Sequence, residues 1–348
     1  MEKTVELKKE SFLKRKNIEF SVKRYLIDAL SFMALGLFSS LIIGSILNQI
    51  GSKFGILFLS ETIWPIARQM TGPAIGVAVA CGLQAPPLVM FSSAITGAAG
   101  AALGGPVGAF VAAVAGAEFG KAVSKETKVD ILVTPATTII VGCLLGSLVG
   151  PGVSAFMTGF GNLIMYATEL NPIPMGILVS TLMGIALTLP ISSAAIGIML
   201  GLGGIASGAA TVGCAAQMVG FAVISFRENG VGGLLAQGLG TSMLQVPNIV
   251  KNWKIWIPSI MTSAILGPIS TTVLKLENTP IGSGMGTSGL VGQFGTISAM
   301  EAAGRGGATL YITILLFHLV LPAIMTLAIA EYMRKKEWIK EGDLKLDL

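Results

Sequence analysis

Six long apolar runs recur along the chain, near Leu26–Ile50, Pro73–Phe91, Ile131–Gly150, Met175–Ile191, Ile255–Leu274 and Leu310–Ala330. Each approaches the roughly 20 residues that a helix needs to cross about 30 Å of hydrocarbon. Two further apolar stretches have a different texture. Ser92–Gly120 and Ser192–Phe226 are rich in Gly and Ala and are interrupted, the first at Gly104-Gly105-Pro106, the second at Gly201 and Gly203-Gly204. Irregular backbone inside a membrane must be covered by protein or line a water-filled cavity, so these stretches predict re-entrant hairpins. A Gly-packed continuous helix or two tight spans in each place is the competing reading. The pattern therefore predicts an all-α polytopic membrane protein, with about six clear spans plus re-entrant hairpins and up to ~10 helices in total.

A possible internal repeat accompanies this pattern. Shifting the chain by 100 residues superposes Ser92-Ser93-Ala94 on Ser192-Ser193-Ala194, Gly97 on Gly197, Gly104 on Gly204 and Gly108 on Gly208, within 11 identities across positions 76–120. A span and an amphipathic stretch, Phe54–Met70 and Phe156–Leu170, precede the two copies. This places candidate repeats near 25–122 and 127–222, a plan common in transporters, with compositional bias as the alternative.

Composition agrees with a lipid environment. Hydrophobic residues make up 53% of the 348 and charged residues 12%, with a mean hydropathy of +0.79. A soluble domain carries about 25% charged residues, so water is not the main solvent. Of the 41 charges, 12 fall in residues 1–24 and 10 in residues 331–348. The expected organisation is a basic cytoplasmic N-terminal segment (1–24), one transmembrane domain (25–330) and a cytoplasmic C-terminal tail (331–348). With both broken stretches returning to the side they came from, 19 of the 23 Lys and Arg lie on one face, which the positive-inside rule makes cytoplasmic. The net charge of +5 is then read as membrane orientation and lipid contact, not nucleic-acid binding. The polar residues ahead of the first apolar run are expected to be retained, with no cleaved leader.

Neither metal nor cofactor chemistry is indicated. Cys81, Cys143 and Cys214 lie in apolar stretches without CxxC or Cys/His spacing, and the single histidine, His318, reads as a packing imidazole or, less readily, a proton relay. No residue has the features of a catalytic centre.

The chemistry concentrates in residues 275–305, KLENTPIGSGMGTSGLVGQFGTISAMEAAGR. Flanked by clear spans, this segment is too polar for a lipid-facing helix. Asn278, Thr279, Ser283, Thr287, Ser288 and Gln293 supply uncharged donors and acceptors, which suits a polyhydroxylated solute or an ion path. Glu277 can accept two hydrogen bonds from neighbouring hydroxyls in a partly dry site, and Pro280 ends the preceding helix beside it. The bland reading of Glu277 is an interfacial glutamate paired with Lys275. Gly203 and Gly204 join the candidate site as the turn of the second broken stretch. Elsewhere, Glu301 and Arg305 are expected to pair four apart on a helix, Glu118 and Lys121 to end a hairpin at the cytoplasmic surface, and Gln84-Ala85-Pro86-Pro87 to kink or end a span.

Two stretches carry a family resemblance: LENTPIGSGMGTSGLVGQ, Leu276–Gln293, and LPISSAAIGIMLGLGGIASGAATVGCAAQMVGFA, Leu189–Ala222. They resemble the EIIC membrane components of the phosphoenolpyruvate-dependent sugar phosphotransferase system, specifically the stand-alone PfoR-type group named for toxin regulation. The likeness spans nearly everything after residue 20. It implies an EIIC-like bundle, a sugar substrate, a homodimer in a bacterial cell membrane, and soluble EIIA and EIIB phosphoproteins as partners. In sugar EIIC proteins a Glu-Pro pair near a re-entrant hairpin contacts the sugar. Glu277 is the matching position, although the order here is Glu-Asn-Thr-Pro. The terminal segments are too short to hold an EIIA or EIIB domain, so those proteins are expected as separate chains.

The resulting expectation is an EIIC-like permease for a sugar or related polar small molecule. The alternative is a transporter-like membrane sensor that controls gene expression through a cytoplasmic partner.

Overall fold

The computed structural model describes residues 11–346 and contains helices and turns with no β-strand among them. Among the described residues, six helices have the length and apolarity to cross a membrane: α1 (Lys23–Ser52), α3 (Pro87–Val123), α4 (Asp130–Thr168), α7 (Gly204–Ile224), α10 (Trp253–Leu274) and α13 (Ala308–Lys335). Two shorter apolar helices, α2 (Thr71–Gly82) and α5 (Pro172–Thr188), a short helix, α6 (Ser193–Met199), and a helical stretch over residues 58–69 fill in the first two-thirds of the bundle. Helices α8 (Phe226–Leu235) and α9 (Val246–Lys251) flank a loop between α7 and α10. Between α10 and α13 lie α11 (Pro280–Ser283) and α12 (Val291–Ala302).

The run expected as one span at Pro73–Phe91 is divided. Helix α2 stops at Gly82, Gln84 takes a left-handed backbone conformation (φ 54°), and Pro86-Pro87 starts α3. A proline accepts no preceding α-helical residue easily and is tolerated at the first position of a new helix, so the same four residues end one helix and begin the next.

Helix α3 is a hairpin. Gly105 has φ 58° and ψ −148°, outside any helix, and Gly104 is also non-helical, so the arms 87–103 and 106–123 run antiparallel. Gly100 and Gly108 meet backbone to backbone across the turn, so close that a Cβ on either would overlap the carbonyl of the other. Each arm is roughly 25 Å long at 1.5 Å per residue, close to the hydrocarbon thickness, so this break is nearer to two tight spans than to a shallow dip. Helix α4 packs along both arms, and its Ile140, Leu144 and Leu148 recur every fourth residue on the outward side. That exposed stripe is a lipid-facing surface for a helix in a bilayer.

Helix α7 occupies the centre, buried along nearly its whole length. Its inward approach is permitted by small residues, because lipid offers no hydrophobic drive between helices and close van der Waals packing must supply the attraction. Ser263 on α10 donates to the Gly213 carbonyl at 3.1 Å, and Thr326 on α13 meets Thr262 on α10 at 3.0 Å.

Basic residues gather at several helix ends. Arg15 and Lys16 pair with Glu126, Lys121 pairs with Glu118 at 2.8 Å and donates to the carbonyls of Asn17 and Leu83, and Arg334 reaches Glu228 and the Ile224 carbonyl. The ends of α3 and α7, the start of α10 and the described residues of both terminal segments share one face of the bundle.

Candidate functional site

The chain reverses inside the bundle at two turns that meet. After α5, Pro190–Ser192 turns the backbone into α6. After α11, Gly284–Thr287 turns it toward α12. Helices α6 and α11 lie against each other: Ser193 Oγ donates to the Gly284 carbonyl at 2.6 Å, and Gly197 lets the Pro280 carbonyl and Ser283 approach its backbone. A third reversal enters from the basic face, where the segment between α8 and α9 climbs to Gly238–Ser242. Its tip touches the other two, because Thr287 Oγ1 donates to the Gly238 carbonyl and the Ser242 and Thr188 hydroxyls lie 2.9 Å apart.

A cavity of about 70 Å³ lies where these turns converge. Ser192, Ser193, Thr241 and Ser288 contribute polar atoms, while Leu37, Leu41, Ile42, Leu187, Ile191 and Met285 form apolar wall and Pro106 brings in the tip of the α3 hairpin. No charged side chain lines it. The space takes a few waters. Ser288 Oγ is buried and has no hydrogen-bond partner among the protein atoms, so a donor and acceptor of the cavity wall is available.

Asn278 holds the polar segment in place. It is 4% exposed; its side-chain NH2 donates toward Thr211 Oγ1 (2.6 Å), the Gly292 carbonyl (2.9 Å) and Thr296 Oγ1 (3.0 Å), while its Oδ1 accepts from the Thr279 N–H (2.7 Å). Its backbone N–H and carbonyl are both bound by Ser207 Oγ on α7. One amide thus ties both arms of the segment to the central helix, and its hydrogen-bonding capacity is used internally. Thr279 caps α11 by accepting from the Gly282 N–H, and Ser283 donates back to the Pro280 carbonyl.

Glu277 sits at the other end of the segment, ion-paired with Arg305, each about one-third exposed. The pair closes the two ends of the 277–305 excursion. It also replaces two expected contacts: Glu277 pairs with Arg305 and not with Lys275, and Glu301 accepts from the Tyr311 hydroxyl at 3.5 Å instead of holding Arg305. Helix α12 ends at Ala302 and the chain turns through a left-handed Gly304, so Arg305 leaves the helical register that would have faced Glu301.

Gln293 meets His318, with Gln293 Nε2 and His318 Nδ1 3.2 Å apart in the interior. Gln293 Oε1 and His318 Nε2 have no partner among the protein atoms. Spacing in the sequence gave no reason to join a residue of the polar segment to the lone histidine 25 positions later.

The sequence-selected residues are therefore distributed. Ser288 lines the cavity; Thr287 holds the loop beneath it; Asn278, Thr279 and Ser283 shape the segment; Gln293 faces His318; Glu277 closes the far end. Gly203 and Gly204 form an exposed turn between α6 and α7, where a Cβ would meet no close neighbour from the polar segment. Sequence reasoning did not select Ser192, Ser193 or Thr241. The first two carried one signal, a hydroxyl pair two residues after Pro190 at the edge of a broken stretch. Thr241 carried none, because its segment reads as an ordinary polar connection.

A family model described as phosphotransferase system, EIIC matches residues 27–346. No curated protein and no solved structure matches the chain.

Proposed function

The chain belongs to the phosphotransferase system EIIC family, and from that premise we propose that it is a membrane permease that binds a sugar or related uncharged polyol in the cavity at the 190–193 and 284–288 turns and carries it across the bilayer. The observation that supports this most is the lining itself. Hydroxyls from three separate turns face an apolar wall with no charge, which matches a ring solute that presents hydroxyls at its edge and C–H groups on its face. A cavity of about 70 Å³ is smaller than the ~300 Å³ or more of a ligand-sized pocket, so admission of a sugar requires the turns to separate. Movement of the 275–305 segment against α6 would do this, and alternating access follows from the same displacement.

In this reading the face that gathers the basic residues is cytoplasmic, both termini lie there, and the membrane is bacterial. EIIA and EIIB act as separate proteins on that face and deliver the phosphoryl group, the protein works as a homodimer, and its subgroup is the PfoR type. Glu277 receives solute hydroxyls when its pair with Arg305 opens, with Asn278, Thr279, Ser283, Thr287, Gln293 and the Gly203–Gly204 turn completing the path. The test is a thermal-shift screen of the purified protein against sugars, sugar acids and polyols, since a ligand that binds the folded state stabilises it. A specific sugar that raises Tm in the wild type and not in Ser288→Ala supports the site; no shift with any member overturns it. Binding without uptake in vesicles, together with transcript changes on gene deletion, would favour the membrane-sensor reading.

A further inference from the structure

Residues 336–346 read in the sequence as a polar tail, yet they are folded into the bundle. Helix α13 ends where Glu337 adopts a left-handed conformation (φ 58°), and a second reversal at Gly342 (φ 87°) brings the chain back under the loop between α7 and α10. Ile339 and Leu344 are buried, at 2% and 0% exposure, in a cluster with Phe221, Ile224, Ile249 and Met333.

The loop grips the backbone of this segment with four amide side chains. Asn229 donates to the Leu344 carbonyl and accepts from the Leu346 N–H, both at 2.8 Å, a bracket of the kind one strand offers another. Gln245 donates to the Leu344 carbonyl (3.0 Å), Asn248 to the Lys345 carbonyl (2.8 Å), and Asn252 to Asp343 (2.7 Å) and the Trp338 carbonyl (3.1 Å). The amides then continue inward: Asn248 donates to Gln245, Gln245 to Gln237, and Gln237 to Ser225, at 2.9, 2.9 and 2.7 Å. Gln237 directly precedes Gly238, whose carbonyl receives Thr287 Oγ1 at the tip of the polar segment. A buried, mutually satisfied amide chain thus joins the tail to the loop that carries Gly240, Thr241 and Met243 into the cavity wall.

We propose that residues 336–346 are a latch on the cavity floor: seated, they fix the 236–243 loop against Thr287, and released, they free that loop to move away from the cavity. The consequence for flux rests on the permease reading, whereas the latch itself does not. The arrangement is testable because the loop and the tail are separate segments, and a passive tail would leave the loop unaffected when it detaches.

The experiment is hydrogen–deuterium exchange by mass spectrometry on the full chain in phosphatidylethanolamine/phosphatidylglycerol nanodiscs, comparing the wild type with Asn229→Ala and Leu346→Pro. Each variant removes one or two of the hydrogen bonds that seat the tail, so exchange at amides 236–243 should quicken roughly tenfold, with the 284–288 turn following and α7 unchanged. Faster exchange confined to 336–346 overturns the latch. Should Asn229→Ala loosen α7 as well, Leu346→Pro decides alone, since its change lies in the tail and leaves every side chain of the 226–252 loop in place, and it is read by the same two outcomes. A failure of every sugar to stabilise the protein would remove the permease reading and leave this measurement intact.

Discussion

Gly100 and Gly108 press together across the turn of the α3 hairpin, whereas a hundred residues later the same register holds Leu200 and Gly208, which do not. Gly208 instead lies against the Leu276 carbonyl at the entry to the polar segment. The neighbouring identities are redirected in the same way. Gly97 packs on Gly72 and Gly76 of the preceding helix, and Ser93 bonds locally to the Val89 carbonyl; Gly197 packs on Pro280 and Ser283, and Ser193 bonds to Gly284. The second pair of arms stays apart, and the polar segment packs against both of them through Gly197 and Gly208. One hairpin therefore closes on itself as scaffold, and the other opens its small-residue face to the segment that shapes the cavity. Burial follows the difference: 28% of the spanning window of α3 is buried against 94% of α7, so the self-closed hairpin is peripheral and the docking helix central.

The comparison breaks most severely if Gly100→Leu imposes the second residue on the first hairpin. A side chain there overlaps Gly108, and overpacking costs about 3 kcal/mol or more, so no monodisperse protein is expected on size exclusion. The reverse change, Leu200→Gly, should cost only about 2 kcal/mol in lost burial and backbone entropy and leave a folded protein with a lowered Tm. Next comes Asn278→Leu, which removes the amide that bridges Thr211, Thr296 and the Gly292 carbonyl and sets an apolar side chain among those polar groups. It should destabilise by about 3 kcal/mol. The first hairpin offers the control: Thr96→Val removes a local hydroxyl bond to the Ser93 carbonyl and keeps the methyl that packs on Gly142, so about 1 kcal/mol or less is expected in the same melting assay.

Glu277→Gln should shift stability by less than about 1 kcal/mol, because an ion pair one-third exposed contributes little. The proposed solute contact makes a different demand on the same variant, loss of ligand-induced stabilisation, and unchanged stabilisation removes Glu277 from the site. The smallest effect belongs to Glu126, outside the spans. Hydrogen bonding and charge from Lys16, with Arg15 nearby, hold its carboxyl below the usual carboxylate range. Its contribution is present above the unfolded value and is lost as the pH falls through the lower folded one. In melting curves from pH 7 to pH 3.5, Glu126→Gln should lie slightly below the wild type at neutral pH and converge with it toward the acid end, and a parallel offset at all pH values would contradict this.

The length and placement of α1, α10 and α13 were legible because a bilayer demands long apolar runs and punishes charge, whereas α4 runs on from the expected Ile131–Gly150 to Thr168 through the stretch read as separate. Both breaks were legible because Gly-Gly-Pro and paired glycines cannot continue a helix. The division at Gln84–Pro87 was marked by its prolines, but the apolar residues on either side blurred one helix into the next. Within the polar segment, residue types announced hydrogen bonding and not its direction. Asn278 and Ser288 look equally available in sequence, yet one is consumed by α7 and the other faces the cavity.

By itself the sequence determined a membrane bundle with one basic face, two broken segments and a polar segment between two spans, since these follow from hydropathy, charge and backbone freedom read along the chain. Only the tertiary structure decided which glycine meets which backbone, that Gln293 reaches His318, that Arg305 belongs to Glu277, and that the tail holds the loop beneath the cavity. Most of those partners lie tens to more than a hundred positions apart. Their pairing is set by how close small residues let helices approach, a property of two surfaces that neither stretch of sequence carries alone.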